Sequence, residues 1–235
     1  MNEIKFKNLK GTVVALKANF LIVEIDFKDT DNSPYQLTEK IRLLCTRRRK
    51  LDYEGSFIDV GDVVGVESID YKNKRAVINK VEPRKSFLKR PAVANVTLVS
   101  ICLSVVEPLF DEEQASRFLL TAECANIQPL IVLTKIDLIT KNDLIIYTNK
   151  LKSWGYDSIP VSIHNSSGLE SLIETFRSTK LTVLAGPSGV GKTSLINHLI
   201  PTASLTTSSV SKKLKRGTNT TRHVELFAIG KGSLL

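Results

Sequence analysis

Gly186-Pro187-Ser188-Gly189-Val190-Gly191-Lys192-Thr193 is a run whose residue types fit a phosphate cradle. Glycine at 186, 189 and 191 lets successive backbone N–H groups turn inward and approach an anion with no Cβ in the way. Lys192 offers a point charge to bridge β- and γ-phosphates, and the Thr193 hydroxyl offers an oxygen to Mg2+. Pro187, Ser188 and Val190 complete the loop, and Ser194 follows directly after it. The apolar run at 181–185 predicts a buried strand feeding the loop, and 192–199 predicts a helix leaving it. That setting adds the helix's positive end to the cradle. It also separates the motif from a glycine-rich turn that binds nothing.

Thr134-Lys135-Ile136-Asp137 closes a second apolar run, 129–133, at the strand end where ligand loops of a parallel sheet belong. An ionised Asp137 offers only acceptors. Guanine presents two neighbouring donors to it, N1–H and the 2-amino group, whereas adenine presents an acceptor at N1 and no 2-amino group. A site that hydrogen-bonds its substrate rejects an analogue lacking the partner by up to ~10⁴–10⁵. The Lys135 stem can lie against the base. In ordinary small GTPases the phosphate loop comes first and the base reader later. Here the order is reversed, which narrows the reading to a circularly permuted GTPase. An ATP-using phosphate-loop enzyme, in which the residues 134–137 match by accident, is the alternative left by the motifs alone.

The elements that must position these residues divide the chain. Residues 11–16, 20–27, 40–46, 62–69 and 75–81 read as short strands separated by turn-rich or charged segments. Five strands in that span predict an all-β barrel over 1–83, an OB-fold being the natural candidate and an SH3-like barrel its competitor. Residues 84–91 hold charge between two prolines and predict a linker. Over 92–235 strands (93–106, 129–133, 159–163, 181–185) alternate with helices (111–125, 142–154, 168–177, 192–199), which implies a mostly parallel α/β sheet. Cys45, Cys102 and Cys124 are scattered, which suits a reducing cytosol better than a disulfide framework, and Cys102 reads as core. The N-terminus lacks the apolar stretch of a signal peptide. No run approaches the ~18–20 apolar residues of a membrane span, so a soluble cytoplasmic protein without a membrane partner is expected.

Together these segments resemble the circularly permuted GTPases, specifically the ribosome small-subunit-dependent GTPase A family, over nearly the whole chain. The shared parts are the barrel, Lys89-Arg90-Pro91, the motif at 134–137, Val161-Ser162-Ile163, the phosphate loop with Ser194-Leu195-Ile196-Asn197, and the polar run from Lys215 to Leu226. The resemblance implies GTP hydrolysis to GDP and phosphate, stimulated by the small (30S) subunit, in its late maturation through 16S rRNA binding, by a monomer. It implies guanine contacts from Thr134, which stands where Asn is usual, from Lys135 and Asp137, and from Ser162, with Ile163 replacing the usual Ala. It makes Lys192 catalytic together with Thr220 and Thr221, one of which joins Thr193 on Mg2+. The family's next element is an apolar strand ending in Asp-x-x-Gly, followed by a zinc-binding domain. Neither is found before Leu235, and Asp52-Tyr53-Glu54-Gly55 reads as coincidence. A truncated GTPase domain is therefore expected, with Zn2+ belonging only to the missing part, and a non-catalytic fragment binding rRNA and GDP is a further alternative.

Net charge is +9, and it is uneven: residues 1–92 carry 19 Lys/Arg against 13 Asp/Glu, and 93–235 carry 14 against 11. Arg47, Arg48, Arg49 and Lys50, with Arg42 nearby, form the densest cluster and are the candidate RNA contacts. Arg84, Lys85, Lys89 and Arg90 extend it. A solvated edge that blocks strand association is the plainer reading of such a run. Tyr53 and Phe57 could stack on bases or sit in the barrel core. His164, His198 and His223 are isolated, and only His223, beside the threonines, invites a test.

Overall fold

Alternation of β-branched and small residues with charged ones makes the N-terminal segments fold as strands with one buried face. The computed structural model describes residues 9–26, 40–53, 55, 57–205, 225–230 and 232–235. Strands β1 (Leu9–Lys17), β2 (Phe20–Asp26), β3 (Lys40–Arg47), β4 (Val63–Asp70) and β5 (Arg75–Val81) close into a barrel in the order β1-β2-β3-β5-β4. Val13, Val23, Leu43, Val64 and Ile78 are fully enclosed in its core. Neighbours pair antiparallel except β3 with β5, which run parallel. Such a pair needs a crossover, and the chain supplies one through the short helix α1 (Arg49–Tyr53) and β4. Closure of five strands with that one parallel pair is the OB arrangement rather than the SH3-like one. Gly11 is required here: a Cβ on it would lie 2.4 Å from Val23 Cγ1.

The segment expected as a linker, 84–91, is part of this first unit. Strands β6 (Phe87–Lys89) and β7 (Ala92–Ala94) form a hairpin, and Val93 bridges Val60. Arg84 explains the attachment. Its guanidinium donates to both carboxylate oxygens of fully buried Asp62, at 2.8 and 2.7 Å, and to Asp59 at 2.8 Å. It also lies 4.4 Å from the Phe87 ring centre. The predicted strand 93–106 is accordingly two strands. The chain turns at Asn95, whose φ is 57°, and whose side chain holds Gly61 O and Lys85 N–H. Among the described residues the first unit comprises those up to 95 together with 225 and 226.

The second unit is built on a sheet in the order β10-β9-β8-β11-β13-β12. Its strands are β8 (Leu98–Ser104), β9 (Gln128–Thr134), β10 (Ser158–Pro160), β11 (Leu181–Ala185), β12 (Phe227–Ile229) and β13 (Gly232–Leu234). All pairs are parallel except β12 with β13. Its helices are α2 (Glu112–Cys124), α3 (Lys141–Ser153), α4 (Leu169–Ser178) and α5 (Lys192–Leu199). Every residue of β8 is buried. Leu98 and Cys102 face a core shared with Leu172 and Phe176 of α4 and Leu195 of α5. Val99, Ile101 and Leu103 point to the opposite side, and α2 packs against β8 and β9 through Ala115, Leu119 and Ala122. Helices start where capping chemistry starts them: Asp111 accepts from Gln114 N–H, and Thr140 with Asp143 forms a reciprocal box before α3. β10 stops at Pro160, short of the expected 163, because the Ser162 hydroxyl accepts from His164 N–H and turns the chain. Gly232–Leu234, where the sequence pattern reaches its next apolar strand, is already β13, parallel to β11.

Asp62→Asn retains the shape of the buried carboxylate and removes its charge. It is expected to destabilise the barrel by about 3 kcal/mol, the scale of an orphaned buried pair. Urea unfolding should show a lower barrel midpoint while the transition of the second unit stays in place.

Candidate nucleotide site

Parallel strands finish on the same edge of a sheet, so the loops that follow β8, β9 and β11 converge there. Gly186 opens the phosphate-loop sequence with φ 135°, and a Cβ on it would stand 2.2 Å from the Cys102 carbonyl oxygen. The loop therefore packs against β8 at a distance only glycine allows. Gly189 and Gly191 hold φ of 83° and 95°. Gly191 also precedes α5 without any side-chain cap, which leaves the first-turn N–H groups of that helix directed at the loop. Thr193 and Ser194 lie in this turn, half-buried.

Lys192 curls back over the loop. Its ammonium donates to Gly186 O at 2.8 Å and Pro187 O at 2.6 Å. Burial draws its pKa below the ordinary lysine value. Burial also pushes the Cys102 thiol up to about 12, so the neighbouring sulfur is neutral.

Thr134 and Lys135 of the second motif are fastened to this loop from the other side. The Thr134 hydroxyl, at the buried end of β9, reaches Val190 O at 2.7 Å and Leu103 O at 3.3 Å. Lys135 has left-handed backbone, φ 61°, and its ammonium donates to Gly189 O at 3.0 Å and to Glu107 O. Asp137 stands exposed in a short 3-10 turn, Ile136–Leu138. A hydrogen bond from the buried Ser162 hydroxyl holds its carboxyl below the usual range against the opposing effect of desolvation, with lesser help from its own backbone N–H and nearby His164. Anything that depends on this carboxylate being charged is present above its lowered pKa and is lost as pH falls through it.

A cavity of about 310 Å³ opens between the two loops, lined among others by Thr134, Lys135, Asp137, Ile163, Val190 and Ser194. That size suits a small planar ligand rather than an extended one. Apolar Val190 and Ile163 offer surface, and Asp137 offers acceptors. His164 also lines it. Its place directly after Ser162 and Ile163 is the one sequence signal for it. Pro187 and Ser188 sit on the half-buried and exposed part of the loop. Thr220, Thr221 and His223 lie outside the described residues.

The basic residues of the barrel are less uniform than their clustering implies. Arg47 ends β3, Arg49 and Lys50 belong to α1, and all four residues from Arg47 to Lys50 are exposed. Arg48 pairs with Glu67. Arg48 and Lys50 line a groove of about 700 Å³ with Lys10, Lys80, Glu67 and Glu82. Arg84 is engaged by Asp59 and Asp62, and Arg42 by Glu24 and Glu225. Phe57 is 83% exposed and so does not belong to the barrel core. Asp52 and Tyr53 fall in α1 of the barrel unit. Among the described residues no helix is long and apolar enough to cross a membrane.

A protein-family profile described as RsgA GTPase matches residues 81–235. The chain is 80% identical over 236 aligned positions to the small ribosomal subunit biogenesis GTPase RsgA of Prochlorococcus marinus strain NATL1A, covering 100% of this chain and 76% of that protein. It is 49% identical over 237 positions to the same-named protein of Prochlorococcus marinus strain MIT 9313, covering 97% and 72%. Among solved structures it resembles YjeQ from Thermotoga maritima, with a TM-score of 0.74 at 27% identity over 97% of this chain and 73% of that one. It also resembles YloQ, described as a circularly permuted GTPase, with a TM-score of 0.74 at 27% identity over 100% and 72%.

Thr134→Val keeps the side-chain shape and removes the donor to Val190 O. It is expected to cost about 1–2 kcal/mol and to speed hydrogen exchange at the amides of 190–194. Thr134→Ser should restore both.

Proposed function

The chain belongs to the RsgA GTPase family, and from that premise we propose how its own residues carry out the family's work. The protein hydrolyses GTP and acts in biogenesis of the small ribosomal subunit. Asp137 takes the guanine N1–H and 2-amino hydrogens on its two acceptor oxygens, and Ser162 keeps that carboxylate charged and aimed. The Lys135 stem covers one face of the base. The backbone N–H groups of 186–194 and the positive end of α5 surround the phosphates, and Lys192 moves from the Gly186 and Pro187 carbonyls onto the β- and γ-phosphate oxygens. The observation that supports this reading best is the 2.7 Å bond from Thr134 to Val190. It fixes a reader of bases and a binder of phosphates at one constant separation.

The donor set suits a hard cation. Thr193 supplies a hydroxyl oxygen beside the phosphate loop, and Cys102, the nearby soft donor, is a buried neutral thiol. Mg2+ takes one or two protein oxygens and fills the rest of its shell with phosphate and water. In this reading Thr193 and one of Thr220 and Thr221 hold it, and when bound it draws negative charge from the β- and γ-oxygens. Phosphoryl transfer then rests on positioning and charge.

The barrel binds 16S rRNA of the small subunit through the exposed Arg47–Lys50 cluster, with affinity that falls as salt rises. Docking there stimulates hydrolysis late in 30S maturation. The protein works as a cytoplasmic monomer.

Asp137→Asn tests the base assignment. Two charge-assisted hydrogen bonds are lost with guanine, so GTP affinity should drop ~100-fold or more, while xanthosine triphosphate, which presents an acceptor at position 2, should bind in its place. Small subunits should then stimulate phosphate release from xanthosine triphosphate and not from GTP. Unchanged GTP affinity would remove Asp137 from the site.

A further inference from the structure

Two residues remote in sequence from the barrel are built into it. Glu225 bridges Ala15 in antiparallel register, the Leu226 N–H donates to Val14 O at 2.9 Å, and Leu226 is 1% exposed. The register of β1 against β2 shifts between Val13 and Ala15, and such a bulge re-aims the extra residue's carbonyl away from its own ladder. Arg42 on β3 closes the attachment. It donates to Glu225 Oε1 at 3.1 Å, to Leu226 O at 3.1 Å and to Glu24 Oε2 at 3.3 Å. A planar guanidinium can serve three acceptors at once, which lysine's point charge cannot do in a fixed geometry.

The placement of this clasp along the chain gives it significance. The next residue, Phe227, opens β12, which pairs with β13, which pairs with β11, the strand that runs into the phosphate loop. The anchored pair is thus joined through two short strands to the strand that leads into the phosphate loop. Arg42 and Glu225 are 41% and 37% exposed. Ion pairs at that exposure are individually weak, so the clasp can yield without unfolding the barrel.

We propose that Arg42 is a positioning residue: by clasping Glu225 and Leu226 to the barrel it makes the barrel's grip on the small subunit depend on which nucleotide is bound. This rests on the reading that the protein binds GTP and docks on the small subunit. A rearrangement at the phosphate loop is passed through β11, β13 and β12 to residues 225–226, and from there to β1 and β3. The same clasp makes subunit docking favour one nucleotide state, since coupling is reciprocal.

The test measures binding of the 235-residue chain to small ribosomal subunits in GDP and in a non-hydrolysable GTP analogue. For the unaltered chain the two affinities should differ by ~5–150-fold, the usual range of coupling between sites. Arg42→Ala should bring that ratio close to one and leave nucleotide affinity without subunits unchanged. Arg42→Lys should give an intermediate ratio, and the exchange Arg42→Glu with Glu225→Arg should recover part of it. The last two keep the proposal testable where alanine disturbs the barrel. The proposal is overturned if the variants keep the full ratio, or lose affinity equally in both states as a plain RNA contact would. An unaltered chain with a ratio of one also overturns it and leaves the GTPase reading untouched. Failure to bind GTP at all would fall on that reading instead.

Discussion

Parallel pairing of β8 with β9 on one side and β11 on the other is the constraint on which the second unit depends. Parallel strands deliver their following loops to one edge, so Thr134 and Val190, 56 residues apart, end within a hydrogen bond of each other. The pairing is held by burial, since no residue of β8 reaches solvent. It also dictates composition: the β8 backbone comes so near that position 186 tolerates no side chain. A sheet does not record the order in which its strands are joined. That is why a sequence with the 134–137 motif upstream of the phosphate loop still brings the two together at one edge, and it aligns at a TM-score of 0.74 with a structure described as circularly permuted.

Electrostatics then prepares the site. Lys135 and Lys192 both rest their ammonium groups on carbonyl oxygens of the loop, and Ser162 draws the Asp137 carboxyl below its ordinary pKa. Charges held in place beforehand need little reorganisation when a ligand arrives. The barrel contrasts with this. Its buried Asp62 is fully occupied by Arg84 and by Asp59 N–H, so that ion pair serves architecture, and the exposed cations of 47–50 form the outward-facing group.

Much of this was legible in the chain because local signals and tertiary demands agree. The glycines at 186, 189 and 191 are needed for backbone geometry, and they occupy the spacing that the chemistry requires. Strand periodicity located the barrel to within a residue or two. The misreadings fall where the cause is non-local. Nothing near Arg84 in sequence reveals that Asp62 awaits it, so a basic stretch between prolines reads as a linker. Apolar residues run on through Asn95, so the pattern alone does not show that the chain turns there. Arg42 looks like a member of a basic cluster until Glu225, 183 residues away, claims it. His164 acquires meaning only from the cavity it lines.

Specificity for guanine is the central claim, and competition measures it directly. With a fluorescent GTP analogue bound to the unaltered chain in Mg2+, unlabelled GTP and GDP should displace it at low concentration, whereas ATP should need at least ~10³-fold more, as expected where a carboxylate placed to hydrogen-bond the base is left unmatched. Displacement by ATP as readily as by GTP would contradict the account, because it would leave the proposed base contact at Asp137 without a role.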